Sequence, residues 1–191
     1  MSCASDYRKN LLARVMRLSQ AHTWQEAVKE WHIDNLTEDE TLQTSCVCGK
    51  ENLRYLYTIE NNMTGNRLYP IGSECIKKFG REDLSEDLAV KSQLLRLLRA
   101  IQTNRLITLT SPLFSRKLLL HLYELGAFGA TDDNHFAPKL DYLFMLKMFN
   151  KGLRRTVHQE KKASAIILQS IKPFLREMLR EKARWQRGSG A

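Results

Sequence analysis

No stretch of this 191-residue chain strings together the roughly 18 apolar residues that a membrane-spanning helix requires. The opening, Met1-Ser2-Cys3-Ala4-Ser5-Asp6, lacks the basic-then-apolar profile of a secretory signal, so a cytoplasmic protein is the expectation. Cysteine is scarce. Four residues in a chain of this length do not make a disulfide framework. Internal repeats and low-complexity tracts are missing, which excludes solenoids and sticky polar linkers. The familiar signatures of catalysis are also missing: no G-x-x-x-x-G-K-[ST] phosphate loop, G-x-S-x-G elbow, H-E-x-x-H or G-x-G-x-x-G. His32-Ile33-Asp34 and Cys46-Val47-Cys48 match neither half of the zinc-deaminase signature. Neighbouring carboxylates occur in Glu38-Asp39-Glu40, Glu82-Asp83 and Glu86-Asp87, where adjacent side chains on a helix would diverge rather than share a proton.

What is present is an ordinary globular composition, 43% hydrophobic and 27% charged, with a formal charge of +9. The location of that charge is more informative than its size. Residues 1–80 carry ten basic and ten acidic side chains, and residues 81–142 carry eight of each. Residues 143–191 carry twelve basic and three acidic ones, so the whole excess belongs to the C-terminal segment. Such asymmetry points to an anionic partner, most often nucleic acid, because Lys and Arg release condensed counterions when they neutralise phosphates.

Apolar spacing organises the chain. Leu11, Leu12, Val15 and Leu18 recur at helical intervals from Tyr7 to Leu18, with Arg8, Lys9, Arg14 and Arg17 on the remaining arc. Thr23 and Glu26 form a capping-box pair that opens a helix carrying Trp24, Ala27, Val28 and Trp31 inward, and Asp34 to Glu40 reads as a polar loop. Leu53, Tyr55, Tyr57 and Ile59 alternate as a strand. A turn over residues 61–66 returns the chain as Arg67 to Ile71, which Pro70 marks as an edge strand. Ser73 then caps a helix through Phe79. The remainder is helical: a Ser85-capped run rich in leucine, a helix from Ser111-Pro112 to Gly126, another over Leu140 to Phe149, and a long helix opened by Thr156 and Gln159. Pro173 should kink or break that last helix just ahead of itself. The expected fold is mostly α, a helical bundle plus a small metal-stabilised β-hairpin, divided into residues 1–80 and 81–191.

The sharpest feature is Cys46-Val47-Cys48-Gly49, followed by the hairpin and then by Cys75 in the first turn of the next helix. A tight knuckle and a helix start, joined by a hairpin, are where tetrahedral zinc sites of the treble-clef plan draw their ligands. A helix N-terminus also favours thiolate over thiol. The first pair is spaced C-x-C and the helix offers one cysteine, so a fourth ligand must come from elsewhere. His32 is the first candidate, with His22 and Cys3 behind it.

The string Cys46-Val47-Cys48-Gly49, Tyr57-Thr58-Ile59, Asn62-Met63-Thr64-Gly65 and Ile71-Gly72-Ser73-Glu74-Cys75-Ile76-Lys77-Lys78-Phe79 resembles a treble-clef-like or zinc-ribbon-like segment of small uncharacterised bacteriophage and mobile-element proteins. In that pattern a histidine sometimes follows the knuckle glycine, and here the position is Lys50. The resemblance implies a zinc-stabilised module, associated with nucleic acid, and no catalytic residue.

Together these features suggest a non-catalytic zinc-containing binder of DNA or RNA. In the metal module, Lys50, Arg54, Arg67, Lys77 and Lys78 lie among Tyr55, Tyr57 and Tyr69, a mixture suited to gripping phosphates and stacking bases. In the C-terminal segment the candidates are Lys161, Lys162, Lys172, Arg176 and Arg180, the last three at four-residue intervals and so on one face. The alternative is a small regulatory protein whose helices, such as that containing Leu143, Phe144, Met145, Met148 and Phe149, bind a partner or host protein.

Overall fold

The computed structural model describes residues 3–110 and 112–188, with the side chains of residues 3–5, 182, 183 and 185–188 outside the description. The fold is mostly helical with one three-stranded antiparallel sheet. It divides into two compact units, Met1–Lys91 and Ser92–Ala191. The division falls inside a helix, eleven residues beyond the boundary read from the sequence at residue 80. Among the described residues no helix is long and apolar enough to cross a membrane.

In the first unit, helix α1 (Cys3–Leu18) buries Leu11 and Val15. The short helix α2 (Trp24–Ala27) begins at Thr23, whose hydroxyl accepts the Glu26 amide, while the Glu26 carboxylate turns outward to Lys29. Here the sequence reading needs correction. The helix is a single turn, and Trp31 to Glu38 form strand β1, where a polar loop was expected from Asp34 onward. A register shift between Ile33 and Asn35 explains the disguise: one extra residue makes the buried positions Trp31, Ile33 and Leu36, which is no longer a period of two. Strand β2 (Tyr55–Asn61) pairs with β1 on one side and with the edge strand β3 (Arg67–Ile71) on the other. As the central strand, β2 buries Leu56, Tyr57 and Ile59 rather than one face only.

The turn between β2 and β3 is tied to the end of α1. The Leu18 carbonyl accepts the Thr64 hydroxyl at 3.0 Å and the Asn66 amide at 3.1 Å. Fully buried Asn61 donates to the Glu30 carboxylate at 2.6 Å, and its own carbonyl accepts the amides of Met63 and Thr64. The Glu30 carboxylate also accepts the amides of Gln20 and Ala21. Desolvation pushes that carboxyl up, but the bonds from Asn61, Gln20 and Ala21 outweigh it, and the net direction is down. One buried amide thereby fixes the exit of α1, the entry to β1 and the hairpin turn.

Helix α3 (Ser73–Lys77) follows β3, with Gly72 rather than Ser73 at its cap position. Helix α4 (Glu82–Gln102) begins three residues before Ser85, whose hydroxyl bonds back to the Arg81 carbonyl instead of capping.

In the second unit, Ser115 caps α5 (Arg116–Glu124), four residues later than the Ser111-Pro112 start read from the sequence; Ser111 lies outside the described residues. Helix α6 (Pro138–Lys151) packs on α5 and on α7 (Val157–Ile166), and Met145 and Met148 are fully buried. Thr156 and Gln159 form the expected capping box. A π-helical turn, Ile167–Ile171, joins α7 to α8 (Lys172–Gly188), with the Lys172 amide reaching back five residues to the Ile167 carbonyl. The irregularity sits immediately before Pro173, whose missing amide cannot continue the α-helical ladder. Ile166, Ile167, Ile171 and Leu175 are buried, leaving the opposite face of α8 to solvent.

Candidate metal centre

The knuckle is built by its backbone. The Cys46 amide donates to the Lys50 carbonyl at 2.8 Å, the Gly49 amide to the Cys46 carbonyl at 2.7 Å, and the Val47 amide to the Pro70 carbonyl at 2.9 Å. Gly49 turns the chain at φ +98, a conformation a Cβ would strain. The last of those bonds lays the knuckle against the end of β3, from which Gly72 leads directly into α3 and Cys75. Ahead of the knuckle, the Asp39 carboxylate accepts the amides of Thr41, Gln43 and Thr44 and the hydroxyls of Thr41 and Thr44. Bonds from the Thr41 and Thr44 side chains hold Asp39 well below the usual carboxylate range. That carboxylate is the fastener of the segment that delivers Cys46.

The result is convergence. The sulfurs of Cys46, Cys48 and Cys75 all lie within 4.8 Å of one another, and all three residues are buried. Cys46 and Cys75 sulfurs are 3.7 Å apart. Thiolates bound tetrahedrally at ~2.3 Å would stand ~3.8 Å apart, so the spacing suits a shared metal ion. The Gly72 amide donates to Cys46 Sγ at 3.3 Å, marking that sulfur as the acceptor of the group. The bond shared with Cys75, with help from the Cys48 and Gly72 amides, lowers the Cys46 thiol to about 5 despite desolvation. The same bond, with burial, drives Cys75 upward, so that Cys75 keeps the proton while no metal is bound. Three soft donors in a buried pocket can hold a metal ion.

His32 does not join them. On β1 it pairs with Glu60, whereas Leu36 is the β1 residue in line with Tyr57 and Ile71, next to Gly72. Three residues along β2 separate Glu60 from Tyr57, which is ~10 Å at the rise of an extended strand. His32 Nδ1 is buried without a hydrogen-bond partner among the described residues, and His32 is not one of the residues whose donor atoms converge at the cysteines. Exposed His22 is outside the group as well, and the Cys3 side chain lies outside the described residues.

Three of the five basic candidates of this unit are engaged by carboxylates. Arg54 bonds Glu38 at 2.9 Å, Arg67 bonds Glu60 at 2.6 Å and faces Asp34 at 3.8 Å, and Lys77 bonds Glu74 at 2.7 Å. Lys50 is exposed beside the knuckle, and Lys78 lines a cleft with Arg8 and Trp24. Of the tyrosines, Tyr57 is wholly buried, Tyr55 half-buried and only Tyr69 exposed. Two arginines absent from the expected set, Arg14 and Arg17, stand beside the knuckle instead, on a cleft that Asn10 shares. Their one-face spacing on α1 was visible, but the packing of that face against Cys46–Gly49 was not.

In the second unit, Lys161 is exposed, and Lys162 lies over the Phe144 ring at 4.9 Å. Arg176 and Arg180 are exposed on α8, and Lys172, one turn before Arg176, is half-buried. Arg180 pairs with Glu177 at 3.1 Å, whereas no carboxylate among the described residues pairs with Lys172 or Arg176. Compared with protein-family models, with curated proteins and with solved structures, the chain matches none.

Proposed function

We propose that this chain is a non-catalytic nucleic-acid-binding protein whose first unit is stabilised by zinc. The observation that carries the reading is the basic face of α8, where Lys172 and Arg176 are unpaired and Arg180 follows one turn on, in the segment that holds the entire charge excess. Such a face attracts phosphates by counterion release and needs no pocket. Zinc is among the metals that clustered thiolates bind, and it suits the order of knuckle, hairpin and helix, which is that of a treble-clef-like module. A bacteriophage or mobile-element origin is part of the same proposal, through the likeness of residues 46–79.

The test is fluorescence anisotropy with a labelled oligonucleotide, as DNA and as RNA, at two salt concentrations. Reversal of Lys172, Arg176 and Arg180 to Glu should weaken binding by at least tenfold and flatten the log–log salt slope, with the fold intact because the buried stripe of α8 is untouched. Wild-type protein that binds neither probe at low salt would overturn the reading.

A second reading has its own observation. A cleft of about 600 Å³ on α6 is lined by Leu143, Leu146, Lys147, Asn150, Lys151 and Arg154, two leucines among basic and polar side chains. It suits an amphipathic segment of a partner protein that lays its apolar face on the leucines, and salt-insensitive capture of one protein without nucleic acid would favour it.

A further inference from the structure

We propose that the cleft between α1 and the cysteine knuckle is a phosphate-gripping site for the bound nucleic-acid strand, with Arg14 and Arg17 as its ligand-contacting residues. The inference rests on the nucleic-acid reading above and assigns it a second contact surface, in the unit whose net charge gave no reason to look there. The cleft measures about 500 Å³ and is walled by Asn10, Arg14 and Arg17 from the helix and by Cys46, Val47 and Gly49 from the knuckle.

Three features make it a site for an anion. First, residues 10, 14 and 17 fall at helical intervals, so the two guanidinium groups emerge along one face of α1. That face is pinned to the knuckle, because Asn10 Nδ2 donates to the Cys48 carbonyl at 3.0 Å, and the Tyr7 ring lies where it would just touch a Cβ placed on Gly49. Second, no carboxylate lines the cleft, and neither exposed arginine has an ion-pair or hydrogen-bond partner among the described residues. Arg54, Arg67 and Lys77 of the same unit are each already matched to a carboxylate, so phosphate would gain less from them. Third, the wall opposite the arginines is the metal knuckle, a rigid surface once its thiolates are bound. Guanidinium forks placed against a rigid wall suit successive phosphodiesters of a strand, each accepting two parallel N–H bonds from one arginine.

The experiment is anisotropy on a labelled mixed-sequence single strand, as DNA and as RNA, with Arg14→Ala/Arg17→Ala, Arg14→Lys/Arg17→Lys and the α8 triple reversal side by side, and with zinc measured in each protein. The alanine pair sits on an exposed face of α1 and keeps helix propensity, so the fold and the zinc content should be unchanged. Affinity should drop about tenfold, and the log–log salt slope should become shallower by ~1.4, at ~0.7 per phosphate contact on a single strand. The lysine pair should fall between wild type and alanine. If wild type binds and the α8 reversal weakens it while the alanine pair binds like wild type, this inference is overturned and the parent reading stands. A loss of zinc without loss of affinity overturns it too, because the arginines would then balance thiolate charge. Wild type that fails to bind overturns both.

Discussion

At Cys46 the Gly72 amide, the Cys48 amide and the Cys75 thiol all turn toward one buried sulfur, and together they pull its thiol below the ordinary range. A depressed folded value stabilises the fold above the ordinary thiol range, and that contribution is lost as pH falls through about 5, taking a metal ligand with it. Zinc uptake at neutral pH should therefore release no more than two protons from the three thiols, measurable with an indicator dye in weak buffer; three would mean that Cys46 enters protonated. The same geometry makes a prediction for His32. Because it lies in the sheet, across from Glu60, His32→Ala should keep its zinc under chelator challenge as well as wild type does, and rapid loss would place the imidazole in the coordination sphere. The cysteines were legible in the sequence because a knuckle and a helix start are local patterns. The exclusion of His32 was not, since it depends on strand register.

At the scale of elements, the hairpin turn and the end of α1 are one structure, joined at Asn61. Removing its side chain leaves the Glu30 carboxylate and the amides of Met63 and Thr64 each one partner short in a part-buried site. Asn61→Ala should cost about 1–3 kcal/mol in urea unfolding, and a change within error would show the network to be dispensable. The helices of both units could be read from apolar spacing and caps, notably Thr156 with Gln159. Strand β1 could not, because the shift at Ile33/Asn35 removes the alternation by which strands are recognised. Cap positions were displaced for a similar reason: Gly72 and Ser115 take those roles through contacts with Cys46 and Gln93, which no local motif encodes.

Over the whole molecule, the charge excess and the cysteine cluster are separated along the chain. The first unit carries the thiol cluster and pairs part of its cations, Arg54, Arg67 and Lys77 among them, while the second holds the excess and displays it along α8. Composition made the second half of that division visible. It hid the first half, where Arg14 and Arg17 stand free within a segment of zero net charge, because a segment total says nothing about which charges have partners.

The central claim is that Cys46, Cys48 and Cys75 form a metal centre on which the first unit depends. Its most direct test is metal analysis of protein purified without added zinc, beside Cys46→Ser and paired with thermal melts. The account predicts about one zinc per chain in wild type, a marked loss of zinc in Cys46→Ser, and a lower melting temperature for the variant. Wild type with almost no bound metal, and a variant that melts with it, would contradict the account and reduce the three cysteines to packing residues.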